Sequence, residues 1–199
     1  MLKLKLLLCN IAAIAVLAVV SSTAGAFRAT TSPAGNMSMV SAALTFGEEP
    51  EIICMITLRG TLAGSYGLIA NERIGSIMEV RITSCSANSM ERVLGLSWPI
   101  AFQSTLGSLP DAASGLVVKI AGVAYNWSTW FGAVNCLYSG DVLLLIALTH
   151  SGTNSYGYST GRVTGEPNLP FRAGSVFCPE EQNVRGTFRV EPPQSMTVS

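Results

Sequence analysis

Apolar side chains recur at every second position along this chain, in short runs separated by clusters of turn residues, and that period is the mark of β-strands. From Leu116 to Ala124, Leu116, Val118, Ile120 and Ala124 share one face, and Val117, Lys119, Ala121 and Val123 share the other. Neither face is strongly polar, so this strand is expected to be covered on both sides. From Ser76 to Ser84 the pattern is more polarised, with Met78, Val80 and Ile82 against Glu79, Arg81 and Thr83, as in a half-exposed strand. Similar runs lie at Met37 to Phe46, Ile52 to Leu62, Val93 to Phe102, Val134 to Tyr138, Val142 to Thr149 and Val184 to Glu191. Shorter ones lie around Val163, Val176 and Met196.

The separators are turn chemistry: Ser86-Ala87-Asn88-Ser89, Gly107-Ser108-Leu109-Pro110-Asp111 and Ser151-Gly152-Thr153-Asn154. No stretch has the amphipathic period and caps of a helix. Strands at intervals of about ten residues without intervening helices predict an all-β, antiparallel β-sandwich or barrel rather than a parallel α/β sheet. The Gly-, Ser- and Asn-rich stretch from His150 to Arg172 is expected to be an exposed loop or a long flexible hairpin. Pro192-Pro193 is expected to interrupt a final strand, and Trp98-Pro99 to mark an edge or bulge, because proline donates no ladder hydrogen bond.

The first 26 residues run from a basic start, Lys3 and Lys5, through an apolar stretch, Leu6 to Val20, to the small residues Ala24-Gly25-Ala26. That is the layout of a secretory signal peptide, with cleavage expected before Phe27. The competing reading is an uncleaved anchor, since the stretch approaches the ~20 residues that span a bilayer. Cys9 falls in this leader and is expected to be discarded with it. Residues 27–199 then form a single secreted domain, long enough to bury roughly 70% of its unfolded surface.

Four cysteines remain beyond the leader, Cys54, Cys85, Cys136 and Cys178, an even number that points to two disulfides in an oxidising compartment. Three connectivities satisfy them. Pairing sequence neighbours, Cys54 with Cys85 and Cys136 with Cys178, closes the shortest loops and is the expected arrangement. A metal site is not expected, because no pair has C-x-x-C spacing and His150 is the only histidine. No cofactor signature is present either. The chain has 12 basic and 12 acidic residues, and no basic cluster that would neutralise phosphates, so no nucleic-acid partner is expected. Beyond the leader the longest apolar run, Val142 to Leu148, is too short for a membrane-crossing helix.

Three constellations carry the remaining chemistry. Gly157-Tyr158-Ser159-Thr160-Gly161 matches G-x-S-x-G, but no helix pattern follows it and His150 precedes the serine, against the order that a nucleophile elbow requires. A hydrolase using Ser159 and His150 is therefore the least favoured reading. The acids Glu48, Glu49 and Glu51, and Glu180 with Glu181, sit at strand ends, where solvated charge is the ordinary explanation. Tyr125, Trp127, Trp130 and Phe131 concentrate aromatic area within seven residues. They are either core packing at one end of the fold or a platform for a sugar ring or an apolar ligand.

Several short features, in order, resemble a group of uncharacterised secreted actinobacterial β-rich proteins. They are Ser32-Pro33-Ala34-Gly35, the run Cys54-Met55-Ile56-Thr57-Leu58-Arg59-Gly60, and Cys85 ahead of Leu96-Ser97-Trp98-Pro99. They continue with Cys136-Leu137-Tyr138-Ser139-Gly140, Cys178-Pro179 and Gly186-Thr187-Phe188. The first two cysteines and the Trp-Pro segment are also similar to secreted proteins described as activators of alkane oxidation, a resemblance that implies contact with hydrocarbon, cell surface or biofilm matrix. Neither resemblance carries a catalytic residue over.

The expectation is a non-enzymatic extracellular or cell-surface β domain that acts by binding or assembly. The alternative is a carrier of a small apolar ligand, with Tyr125, Trp127, Trp130 and Phe131 at the mouth of a barrel and an interior cavity of about 300 Å³ or more.

Overall fold

A computed structural model describes residues 27–47, 51–86, 90–129, 133–164 and 168–199. The leader with its expected helix, Glu48 and Glu49, the turn residues Ala87 to Ser89, and Trp130 and Phe131 lie outside the described residues. The strands are β1 (Arg28–Ser32), β2 (Gly35–Phe46), β3 (Ile52–Leu62), β4 (Ser65–Gly67), β5 (Arg73–Cys85), β6 (Met90–Leu94) and β7 (Trp98–Leu106). They continue with β8 (Gly115–Thr129), β9 (Val134–Ala147), β10 (Thr149–Gly152), β11 (Ser155–Val163), β12 (Asn168–Gly174), β13 (Glu181–Arg185) and β14 (Thr187–Val198).

Eight of these strands close on themselves as an antiparallel barrel, in the order β2, β3, β5, β7, β8, β9, β11, β14 and back to β2. Closure removes the exposed edges that an open sheet would leave. The interior is filled by one side of each strand's alternation, including Met39, Ile56, Ile100, Val118, Leu144 and Val190, all buried. The expected runs of alternation fall on strand, with three of them broken: Val93 to Phe102 at Gly95 to Ser97, between β6 and β7, Val142 to Thr149 at Leu148, and Val184 to Glu191 at Gly186; the short run around Val176 lies instead in the turn after β12. No helix among the described residues is long and apolar enough to cross a membrane.

β-Bulges decide which residues face inward, and they revise two expectations. Between Arg59 and Gly60 the register of β3 on β5 shifts, pairing Arg59 with Glu79 but Gly60 with Ile77. Ile77 is therefore fully buried while Met78 is 57% exposed, although Val80 and Ile82 keep the inward face. On β8 the register shifts between Ile120, opposite Val142, and Val123, opposite Gly140. Val123 and Tyr125 thus line the interior where strict alternation would have placed Ala124. The extra residue of a bulge moves everything beyond it to the other face.

The segment from His150 to Arg172 is not a loop. Its middle is β11, a wall strand pairing with both β9 and β14, with Tyr156 and Tyr158 buried. One glycine there, Gly161, packs closely against its neighbour strand: a Cβ on it would press on the Ile146 side chain. Nor do Pro192-Pro193 end the last strand. β14 runs through them, pairing with β2 up to Glu191 and with β1 from Ser195. The prolines occupy the point where the strand changes partner, so their missing donors cost no ladder bond.

Cys54 bonds to Cys85 and Cys136 to Cys178, the two shortest loops. Bridges of this kind persist in oxidising compartments. Both lie at the same end of the barrel, the far end, which also carries Phe46 and Tyr125.

Candidate functional site

At the far end the wall is built differently from the rest of the barrel. β11 and β14 no longer span the space between β9 and β2; β12 and β13 do, through Phe171 opposite Tyr138, Leu169 opposite Gln182, and Val184 opposite Phe46. On the other side β7 leaves β5 after the Ile77–Trp98 pair, and β6 takes its place against β8. The far-end ring is thus β2, β3, β5, β6, β8, β9, β12 and β13. Every neighbouring pair in it is joined by a ladder except β5 and β6, between which no ladder forms among the described residues. This leaves a slit in the wall, bounded by Met78 to Ser84 on one lip and Met90 to Leu94 on the other.

Behind the slit lies a chamber of about 70 Å³ with an apolar lining that includes Ile56, Val80, Ile82, Val93, Trp98 and Val123. Val80, Ile82, Val93 and Val123 face inward yet are only half-buried, as an opening between the lips requires. The top of the chamber is plugged by aromatic rings: Phe46 packs on Tyr125 at 5.1 Å, Tyr125 stacks on Tyr138 at 5.6 Å, and Tyr138 meets Phe171 edge-on at 6.0 Å. The Tyr125 hydroxyl donates to Gln182 Oε1, which is itself buried, and the Tyr138 hydroxyl donates to the Pro179 carbonyl at 3.2 Å. Burial pushes the Tyr138 phenol up to about 12.

Of the aromatic residues singled out in the sequence, Tyr125 and Trp127 both point into the barrel, 6% and 8% exposed. They form part of the interior, not an outer platform. Trp127 leaves one loose end: its indole Nε1 is buried without an acceptor, at the level where β8 pairs with Glu91 of β6.

The remaining sequence candidates do not converge. His150 sits on β10 with its ring edge-on to Tyr156 at 5.0 Å. Ser159 lies at a bulge on β11, three residues beyond Tyr156, which is roughly 10 Å along a strand. The two side chains are not brought together. Glu181 accepts a hydrogen bond from Asn168 Nδ2 at 2.7 Å and Glu180 is exposed, so neither faces a shared cavity. Among the described residues no three His, Cys, Asp or Glu side chains cluster as metal ligands would. A shallow outer groove of about 420 Å³ crosses β2, β3 and β5 beside the exposed Arg59–Glu79 ion pair.

Sequence reasoning missed the slit and its lips. Val80, Ile82 and Val93 were legible only as strand positions, and nothing in Ser86 to Ser89 distinguishes a hairpin that pairs from one that splays apart. No family model, no curated protein and no solved structure matches the chain.

Proposed function

We propose that the chain is a secreted binding domain that works outside the cell without a catalytic centre, and that its binding element is the slit between β5 and β6 with the apolar chamber behind it. The observation that carries this reading is the half-exposure of three inward-facing apolar residues, Val80 and Ile82 on β5 and Val93 on β6, at the one seam of the far-end ring without a ladder. Apolar surface held open to water is a standing cost in a fold that otherwise buries its interior, and binding relieves that cost. The leader-like first 26 residues and the two disulfides agree with an extracellular site of action.

A carrier of a small apolar ligand is the second reading, favoured by the chamber's apolar lining. At about 70 Å³ the chamber is well below the ~300 Å³ of a site for a drug-sized molecule, which restricts the cargo to a short hydrocarbon or one end of a longer one.

The test is a titration of the secreted protein with benzene, followed by methyl NMR. Saturable shifts at Val80, Ile82 and Val93, abolished in Val80→Arg, are the expected result. Shifts confined to outward-facing methyls, or a Val80→Arg variant that titrates like the parent, would refute the reading.

A further inference from the structure

We infer that the slit receives one additional β-strand, an extended segment of another polypeptide with apolar residues at alternate positions, which pairs with both lips and completes the far-end ring. The inference rests on the binding reading above and names the occupant.

Each lip is a strand edge. β5 gives its other edge to β3 throughout, and β6 gives its other edge to β8, so the edges facing the slit carry backbone N–H and C=O groups of Met78 to Ser84 and of Met90 to Val93 that have no ladder partner among the described residues, while the Leu94 carbonyl accepts from the Trp98 indole. A small hydrocarbon would cover the apolar chamber but leave both rows of polar groups unmet. An extended peptide satisfies both at once, as in recognition by strand addition. Adjacent strands lie about 4.8 Å apart, so one inserted strand requires lips about two spacings apart, and β5 and β6 form no ladder with each other among the described residues. β5 and β6 run antiparallel to each other, so the occupant is parallel to one lip and antiparallel to the other.

The side chains of the lips dictate the occupant's pattern. Its inward positions would meet Val80, Ile82 and Val93 and must be apolar. Its outward positions would lie among exposed Arg81, exposed Arg92 and the Arg59–Glu79–Arg81 cluster, where Glu79 is 3.4 Å from Arg59 and 3.6 Å from Arg81. Arginine is in excess there, so the occupant's outward positions are polar or acidic. The lip of β6 is five residues long, and a segment of that length spans about 17 Å.

Hydrogen–deuterium exchange of the full secreted protein tests this, with the synthetic peptide Val-Thr-Val-Glu-Val-Thr-Val as the probe and a reordered peptide of the same composition, lacking alternation, as the control. In the free protein, amides of residues 79–84 and 90–94 that face the slit exchange faster than those of β3. The alternating peptide slows them by about tenfold or more, and the reordered peptide does not. Ile82→Arg, which fills the seam with a charge, abolishes binding of the alternating peptide.

Lip amides already protected in the free protein would mean that β5 and β6 zip together, and would overturn the inference. Protection that grows with protein concentration in the absence of peptide would overturn the foreign strand in favour of a second copy of this chain. Benzene shifts at Val80 and Val93 without any effect of peptide would sink the strand but leave the binding reading standing; silence to both probes would sink both.

Discussion

The indole N–H of Trp98 donates to the carbonyl oxygen of Leu94 at 3.1 Å, across the Gly95-Leu96-Ser97 break that separates β6 from β7. Trp98 is buried in the chamber wall, so this bond ties the end of β6 to the start of β7. It keeps both strands in line along β8. β6 pairs with β8 and forms no ladder with β5, which leaves the slit beside β5.

Trp98→Phe removes that donor while leaving most of the ring. The Leu94 carbonyl loses its partner and a small void opens in the chamber, together costing about 1–3 kcal/mol. Urea unfolding measures the loss. Faster amide exchange in β6 than in β9 would show that the bond restrains this strand in particular.

The two disulfides constrain the far end from both sides of the ring. Cys54 and Cys85 are direct partners on β3 and β5 with Cα atoms 4.1 Å apart, and they close a separation of 31 residues. Cys136 and Cys178 close one of 42 residues. Loop-closure entropy gives each about 4 kcal/mol. Replacing either pair by alanine is expected to lower the unfolding free energy by that order, as read from urea midpoints. Losing the Cys54–Cys85 pair also frees the upper end of β5, so benzene and peptide binding weaken in that variant and not in the other.

Much of this barrel is legible in the alternation of the sequence, because period two specifies a strand whatever its partners are. β3 and the lower half of β8 could be read off almost residue by residue, and β2 as far as Ser41, before its register on β3 shifts at Leu44. The bulges could not. Nothing local marks Gly60 or Gly122 as the place where an extra residue enters a ladder, and each bulge reverses the facing of the residues beyond it, exposing Met78 and turning Tyr125 inward. The glycine-rich run around β11 misled for a related reason. Small residues there serve close packing between β9 and β14, which composition alone does not distinguish from flexibility. The slit is a relation between β5 and β6, and no property of either strand's sequence records it.

Alkali should destabilise the near end of the barrel. Burial holds the phenols of Tyr66 and Tyr158 well above the ordinary tyrosine range, and Tyr158 is raised further by Tyr66. A buried phenol is favoured in its neutral form, so its contribution is fully present below about pH 10 and is lost as pH rises past the unfolded-state value toward the folded-state one. The melting temperature is expected to fall with increasing pH above that point. Tyr66→Phe and Tyr158→Phe should each flatten the decline; unchanged slopes would show that other groups cause it.

Gly60 tests whether the bulge between β3 and β5 depends on close backbone approach. It pairs with Ile77 at the register shift, and a Cβ placed on it would fall inside contact distance of the Ser76 carbonyl oxygen. That atom belongs to the backbone of a wall strand and cannot swing aside as a side chain would. Gly60→Ala must therefore push β3 and β5 apart just below the lip at Met78, at a cost of about 2–3 kcal/mol. Gly152 makes the matching control, since its Cβ would find nothing nearer than the Ser155 side chain at 3.9 Å. Gly152→Ala is expected to leave urea unfolding within about 0.5 kcal/mol of the parent. A Gly60→Ala variant as stable as Gly152→Ala would mean that the two strands approach less closely than the register implies. In that case the outward turn of Met78 would need another cause.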